Sequence, residues 1–213
     1  MRVEAMIGFY NCSVILTYFG LASSVVGMAM AMRGAYKIAF LCLMLSGICD
    51  LFDGRVASKV KRSEHEKMFG IQIDSLCDLV CFGVFPVILL YNFFRDTFRW
   101  YWIAVAVVYI LGAIIRLGYF NVFEEERQRG SSGKRTHYQG LPVTSVALFL
   151  PMVYALDRPL GKGFDYQLFY GILMLVIAVL FVLNVKVKKP GTAETVIMCG
   201  VGLLVLVGVI LGS

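Results

Sequence analysis

Long apolar runs alternate with short polar connections along most of the chain. An apolar run of about 20 residues can cross a bilayer as an α-helix, so this pattern predicts seven spanning helices. They are expected near 7–32, 36–58, 69–93, 99–120, 140–157, 165–185 and 193–212. The first run is longer than the apolar region of a signal peptide, and we expect it to be retained as a helix.

Composition supports the same class. Of the 213 residues 59% are hydrophobic and only 16% are charged, whereas soluble domains have roughly 25% charged residues. Mean hydropathy is +0.78. All six cysteines lie in apolar runs without zinc-type spacing, which favours small core residues over ligands. We therefore expect an all-α integral membrane protein.

Basic residues are divided unequally between the two predicted sides of the membrane. If the N-terminus is cytoplasmic, fourteen of the twenty Lys and Arg residues lie on that side and six on the other. This excess indicates orientation by the positive-inside rule. The net charge of +6 fits an anionic leaflet and an anionic substrate head group. Nucleic acid is a poor alternative, because the basic residues are divided among membrane-edge loops.

Four aspartates lie at the facing ends of the second and third apolar runs, as Asp50-x-x-Asp53 and Asp74-x-x-x-Asp78. An aspartate within a membrane helix costs about 2.5 to 3.5 kcal/mol. Both spacings place the two carboxylates on one helix face, and helices joined by a short loop are usually antiparallel neighbours. The four carboxylates are therefore expected to converge as a metal site facing the cytoplasm.

Small residues share these faces at Gly54, Ala57 and Gly70. They predict either close helix packing, which small residues allow in membranes, or space for a phosphorylated group beside the backbone. Both interpretations can hold together.

These residues resemble the signature of the CDP-alcohol phosphotransferase family, D-x-x-D-G-x-x-A-R-x8-G-x-x-x-D-x-x-x-D. The chain departs from it twice, since Ser58 stands at the arginine position and eleven residues separate it from Gly70 instead of eight. Lys59 or Arg55 could supply the missing charge. Three extra residues are about one helical turn, which would lengthen the loop without disturbing either aspartate pair.

Further motifs resemble the phosphatidylserine synthase branch of that family. They are Asp74-Ser75-Leu76-x-Asp78, Phe82-Gly83-Val84-Phe85-Pro86, Arg116-Leu117-x-x-Phe120-Asn121 and Gly140-Leu141-Pro142. The resemblance implies a six-helix core over 1–190. Residues 191–213 would form an additional C-terminal transmembrane segment with a role in anchoring or packing.

The resemblance also implies a reaction: transfer of a phosphatidyl group from CDP-diacylglycerol to the hydroxyl of L-serine, with release of CMP. Two divalent ions, Mg²⁺ or Mn²⁺ with Ca²⁺ possible, would bridge the diphosphate and the carboxylates, because oxygen-only ligands suit these ions. Asp50, Asp53 and Asp74 are the expected principal ligands. Asp78 is expected to be the general base and to touch metal too. A homodimer is also implied.

The remaining implied site residues fall into two groups. The expected CDP-binding residues are Asn11, Asp50, Gly54, Ala57, Ser58, Gly70 and Asp74. The expected acceptor-binding or phosphate-binding residues are Arg116, Asn121 and Arg135. Three of them also have a purely structural interpretation: a helix cap for Asn11, a positive-inside anchor for Arg116 and a solvated loop at 121–139 for Arg135.

Two rival functions remain open at this point. The first is the same chemistry with another acceptor, glycerol 3-phosphate or inositol 1-phosphate, because the metal signature indicates only how the CDP-linked donor is bound and not which acceptor is used. The second is a divalent-cation transporter, since intramembrane aspartates also mark ion pathways. A transporter predicts acidic residues on both sides of the midplane, but here the cluster stays near one edge.

Overall fold

The computed structural model describes residues 8–9, 12–57, 63–97, 99–129, 137–156, 165–184, 186–188 and 192–211. Its helices are α1 Cys12–Met32, α2 Tyr36–Ala57, α3 Glu64–Asp78, α4 Phe85–Phe93, α5 Tyr101–Arg129, α6 Val146–Ala155, α7 Tyr166–Val182 and α8 Thr192–Leu211. A π-helical turn, Leu79–Val84, joins α3 to α4 without a break. Helices therefore occur at all seven predicted places, which confirms the all-α fold class.

Among the described residues, three continuous helices are long and apolar enough to cross a membrane: Val14–Met32, Glu64–Phe93 and Tyr101–Glu125. Shorter apolar helices cover Val143–Ala155, Tyr166–Val182 and Gly200–Leu211. α2 is 22 residues long, but it carries Lys37, Asp50, Asp53 and Arg55. The chain is an integral membrane protein, and the full count of seven spans stays a prediction.

Two boundaries differ from the expected ones. The third helix begins at Glu64, because Ser63 and Glu66 form a capping box in which the Ser63 Oγ accepts from the Glu66 N–H and the Glu66 carboxylate accepts from the Ser63 N–H. α5 continues to Arg129, whereas a loop from 121 was expected. The polar residues after 120 include Glu, Arg and Gln, which have high helix propensity.

A small antiparallel ribbon accompanies the helices. β1 His137–Gln139 pairs with β2 Lys186–Lys188, with His137 opposite Lys188. Next to it, Gly140 has a φ of +72°, and a Cβ there would lie 3.0 Å from the Leu183 carbonyl oxygen. Glycine is favoured at such a φ. The ribbon ties the segment before α6 to the end of α7.

Close packing between helices depends on small residues. α1 packs along α2, and a Cβ on Gly27 would lie 2.3 Å from the Phe85 ring. A Cβ on Gly47 of α2 would lie 2.6 Å from the Ala147 Cβ of α6. These glycines let the helix backbones approach each other, as small residues commonly do in membranes.

Aromatic rings fill one end of the bundle, which we call the aromatic end. Phe40 and Tyr154 stack with ring centroids 4.4 Å apart, and Tyr36 meets Phe93 edge to face at 5.0 Å. The aromatic end consists of Tyr36, Phe40, Phe93, Phe94, Trp102, Tyr154 and Tyr170. Asp50 and Asp53 lie toward the opposite end of α2, and Asp74 and Asp78 lie near the middle of the Glu64–Phe93 helix.

Candidate metal and nucleotide site

The four aspartates converge, and we call their region the aspartate end. One carboxylate oxygen from each of Asp50, Asp74 and Asp78 lies within 4.8 Å of the others. The Asp50 and Asp78 carboxyl groups lie within hydrogen-bonding reach, and so do those of Asp53 and Asp74. This cross-pairing is the arrangement that antiparallel neighbours with spacings of three and four residues were expected to give.

Two threonines hold the outer carboxylates. The Thr17 hydroxyl of α1 donates to Asp53 Oδ2 at 3.0 Å. The Thr144 hydroxyl, in a 3₁₀ turn before α6, lies within hydrogen-bonding reach of Asp50. Sequence reasoning missed both residues, because a single threonine in an apolar run has no distinguishing spacing. The Thr17 hydrogen bond thus orients Asp53, and the Thr144 hydroxyl lies near Asp50.

A small cavity lies against the cluster. Its volume is about 10 Å³, which is room for about one water-sized particle. Its lining comprises Thr17, Gly20, Ser46, Cys49, Asp50, Asp53, Cys77, Asp78, Cys81 and Phe82. Three of these are free thiols buried in the bundle, as expected of small core residues.

The residues expected to line the CDP pocket flank this cluster. Gly54 is exposed, and no described atom lies within 4 Å of the position that a Cβ would take. Gly54 therefore borders open space beside the backbone and is not a site of close helix packing. Ala57 and Gly70 are half-buried. Asn11 and Ser58 lie outside the described residues.

Asn121 joins α5 to α3 beside the cluster. Its Oδ1 accepts from the Ser75 hydroxyl at 2.6 Å, and its Nδ2 donates to Gln72 Oε1 at 3.4 Å. Gln72 in turn donates to Glu125 at 2.8 Å. This hydrogen-bonded chain fixes α5 against the face of α3 that carries Gln72 and Ser75, and Ser75 is the neighbour of Asp74 in the chain.

Arg116 lies about one and a half turns before Asn121 on α5. It is 9% exposed, which means that its guanidinium belongs to the interior of the bundle. Such burial disagrees with the structural interpretation of Arg116 as an exposed anchor at the membrane edge. Arg135, the third residue expected to contact acceptor or phosphate, lies outside the described residues.

The donor set fits a divalent metal. Carboxyl groups that face each other at hydrogen-bonding reach in a low-dielectric interior need a proton or a cation between them. The cluster offers only oxygen ligands, which suit Mg²⁺, Mn²⁺ and Ca²⁺ better than softer ions. The described residues therefore form an acidic cluster able to hold metal.

Comparison with known proteins agrees with this geometry. A family model for CDP-alcohol phosphatidyltransferases matches residues 10–184. The archaetidylserine synthase of Methanothermobacter thermautotrophicus is 27% identical over 189 residues, which is 89% of this chain and 74% of that protein.

Two further relatives are named CDP-diacylglycerol–serine O-phosphatidyltransferase. The Saccharomyces cerevisiae protein is 37% identical over 126 residues, 57% of this chain and 43% of that protein. The Helicobacter pylori J99 protein is 29% identical over 163 residues, 75% of this chain and 65% of that protein. The chain thus spans less than two thirds of the length of both.

Proposed function

Because the chain belongs to the CDP-alcohol phosphatidyltransferase family, we propose that it transfers a phosphatidyl group from CDP-diacylglycerol to L-serine, giving phosphatidylserine and CMP. The observation that carries this proposal is the convergence of Asp50, Asp74 and Asp78 in a membrane-embedded bundle. The choice of serine as acceptor is supported by the names of the relatives, all of which contain serine.

The aspartates divide the work of binding the nucleotide. Asp50, Asp53 and Asp74 are the principal metal ligands, and Asp78 is shared between metal and acceptor. Two divalent ions held there, Mg²⁺ or Mn²⁺ with Ca²⁺ as a substitute, would neutralise the diphosphate and draw charge from the attacked phosphorus. Thr17 orients Asp53, so that one of its oxygens is committed to the hydroxyl and the other is left for a ligand.

Asp78 is the proposed general base. An alcohol is a weak nucleophile at neutral pH, so a carboxylate within reach of its proton assists the attack. The Asp78 carboxylate takes the proton of the serine hydroxyl while the serine oxygen bonds to the phosphorus of the phosphatidyl group. The bond from that phosphorus to the bridging diphosphate oxygen breaks, and CMP departs with the electron pair.

The remaining roles follow the layout of the site. The open space beside Gly54 accommodates the cytidine or its phosphates, together with Asn11, Ala57, Ser58 and Gly70. Arg116 and Asn121 serve the acceptor carboxylate or a phosphate, since a buried guanidinium can bind either one bidentately. Arg135 belongs to the same proposed group.

Three further proposals concern the whole protein. The active site faces the cytoplasm, as the distribution of basic residues indicates. Two copies associate as a homodimer. The transferase domain covers 1–190, and 191–213 is an added membrane segment.

The test is CMP release by the purified protein in detergent, with CDP-diacylglycerol and Mg²⁺ or Mn²⁺. L-serine, glycerol 3-phosphate and inositol 1-phosphate are supplied in turn as acceptor. Because one relative is an archaetidylserine synthase, a CDP-activated archaetidyl donor is assayed in parallel. EDTA controls remove the metal in every arm.

We expect CMP release that requires both serine and the divalent ion. Release with another acceptor alone would keep the chemistry and overturn serine as substrate. No release with any donor and acceptor would overturn the transferase proposal and favour transport of divalent cations, which ion flux into proteoliposomes would then measure.

A further inference from the structure

A wide turn interrupts the helix that carries Asp74 and Asp78. Leu79–Val84 forms π-helical turns directly after Asp78, and the Phe85 N–H bonds to the Val80 carbonyl five residues back. π-turns are rare and occur often at functional sites. Here the turn separates the aspartate face of α3 from the apolar core of α4.

The sequence explains why one carbonyl in this turn needs a partner from elsewhere. Pro86 has no N–H, so the regular α-helical bond from residue 86 to the Phe82 carbonyl cannot form. The Phe82 residue is buried, with 1% exposure, and an unpaired carbonyl in such a place is unfavourable. A donor from another helix can satisfy it.

Tyr109 of α5 supplies that donor. Its hydroxyl donates to the Phe82 carbonyl oxygen at 2.5 Å, and its side chain is 0% exposed. One turn further along α5, Ala113 lies 3.6 Å from the position that a Cβ on Gly83 would take, and Leu79 lies 2.9 Å from it. α5 thus lies in van der Waals contact with the turn, where the Tyr109 hydroxyl reaches it, and the glycine at 83 leaves room for the Leu79 side chain of the same turn.

We propose that Tyr109 is a positioning residue for the reaction: with Pro86 it holds the π-turn, and the turn fixes the aspartate face of α3 against Asp50 and Asp53. This inference rests on the function proposed above. Return to an α-helix would shift the aspartate face relative to α4 by about one residue, on the order of 100° of rotation. Asp74 and Asp78 would then both move away from Asp50 and Asp53 while α3 stayed helical.

The experiment separates positioning from mere stability with two substitutions and their combination. Tyr109→Phe removes only the hydroxyl. Pro86→Ala restores an N–H that can pair with the Phe82 carbonyl in α-helical geometry. Tyr119→Phe is the matched control, because Tyr119 is 42% exposed on the same helix and its ring contacts Phe123.

We measure kcat, the KM for CDP-diacylglycerol and the unfolding temperature, at a temperature where every variant is folded. Tyr109→Phe should lower kcat at least tenfold, raise the KM for CDP-diacylglycerol because Asp74 moves together with Asp78, and reduce the unfolding temperature. The double variant should regain the unfolding temperature but not kcat. Tyr119→Phe should match the unsubstituted protein in all three.

Two results would overturn the inference: an unchanged kcat in Tyr109→Phe, or recovery of both kcat and unfolding temperature in the double variant. If Tyr109→Phe does not fold, Gly83→Ala takes its place, since the added Cβ would lie 2.9 Å from the Leu79 side chain within the same turn. It should lower kcat in the same way, and an unchanged kcat would equally count against the proposal.

A second readout keeps this inference distinct from the proposed function. If the unsubstituted protein released no CMP with any acceptor, Mn²⁺ binding by electron paramagnetic resonance would replace kcat. Displacement of Asp74 and Asp78 should weaken Mn²⁺ binding severalfold in Tyr109→Phe and in the double variant. Equal Mn²⁺ affinity in all variants would then overturn the inference.

Discussion

The two ends of the bundle are built on opposite principles. At the aromatic end, the rings pack against one another and several polar groups have neutral or oppositely charged partners, although the buried Trp102 Nε1 has no hydrogen-bond partner among the described residues. The Tyr36 hydroxyl donates to the Asn92 carbonyl at 2.7 Å, and Arg99 pairs with Asp165 at 3.1 Å. Aromatic pairs contribute about 0.5 to 1.5 kcal/mol each beyond the area they bury. This end is organised for stability.

At the aspartate end, like charge faces like charge. Asp50 lies opposite Asp78 and Asp53 opposite Asp74, an arrangement that costs free energy in the absence of cations. Threonine hydroxyls and a cavity of about 10 Å³ adjoin these groups. We conclude from this contrast that the residues at the aspartate end serve binding and chemistry rather than folding.

The largest expected effect is that of Asp78→Asn. If the carboxylates serve function at the expense of folding, this variant should lose activity by at least about 100-fold, the scale of general-base catalysis, while CDP-diacylglycerol still binds. In EDTA its unfolding temperature should rise, because one like-charge contact is gone. Turnover by CMP release and thermal unfolding by circular dichroism measure the two effects.

Asp50→Ala is the comparison for that variant. It removes a proposed ligand rather than the proposed base, so nucleotide binding should be lost together with turnover. Full activity in Asp78→Asn would contradict the role of base, and a lower unfolding temperature in EDTA would contradict the contrast between the two ends.

Much of this site was accessible from the sequence, for physical reasons. Apolar runs near 20 residues predict spanning helices, and spacings of three and four place carboxylates on one face. The start of α3 at Ser63 was also encoded, as the S-x-x-E capping pattern. What brings Asp50 and Asp78 together is then only that their helices are antiparallel neighbours.

Other features depend on contacts between distant segments and have no local signal. Thr17 lies 36 residues from Asp53, and nothing in an apolar run marks one threonine as a partner. Tyr109 likewise resembles any core tyrosine until the Phe82 carbonyl is seen beside it. The predicted end of α5 at 120 is wrong, because the polar residues beyond 120 include good helix formers and polarity alone does not indicate a loop.

The next effect in size tests whether the aspartate end depends on preorganisation. Thr17→Val keeps the shape of the side chain but removes the donor to Asp53 Oδ2. Loss of such an orienting group typically costs 10- to 100-fold in metal affinity or activity. We expect the Mg²⁺ concentration for half-maximal CMP release to rise by about this factor.

Thr17→Ser is the matched control, because it retains the hydroxyl, and its Mg²⁺ requirement should stay near that of the unsubstituted protein. If Thr17→Val and Thr17→Ser were equally impaired, the methyl group rather than the hydrogen bond would matter. The contrast between ends would then rest on the carboxylates alone.

A pair of glycines on α2 gives a smaller effect that sharpens the comparison further. Gly54 faces open space, whereas a Cβ on Gly47 would lie 2.6 Å from the Ala147 Cβ. Gly54→Ala should stabilise the helix by about 0.5 to 1 kcal/mol while raising the KM for CDP-diacylglycerol. Gly47→Ala should destabilise the bundle by about 1 to 3 kcal/mol through overpacking.

Denaturant titration and CMP-release kinetics on both variants measure these effects. An increased free energy of unfolding in Gly54→Ala and a decreased one in Gly47→Ala would show that α2 serves helix packing near Gly47 and ligand binding near Gly54. An unchanged KM in Gly54→Ala would argue that the nucleotide does not approach this glycine.

The smallest expected effect belongs to the aromatic end. The Leu168 N–H, with help from Arg99, holds the pKa of the Asp165 carboxyl below its usual range. A lowered pKa in the folded state stabilises the protein above the ordinary carboxyl pKa near about 3.9, and this stabilisation is lost as pH falls through the lowered value. At pH 6 the unfolding temperature of Asp165→Asn should therefore be slightly lower than that of the unsubstituted protein, with CMP release unchanged. The difference should shrink below about pH 4 and vanish only when the pH is below the lowered pKa of Asp165, because both side chains are then neutral. A difference that persisted at low pH would mean that Asp165 acts through shape rather than charge, and a loss of activity would mean that the two ends are coupled.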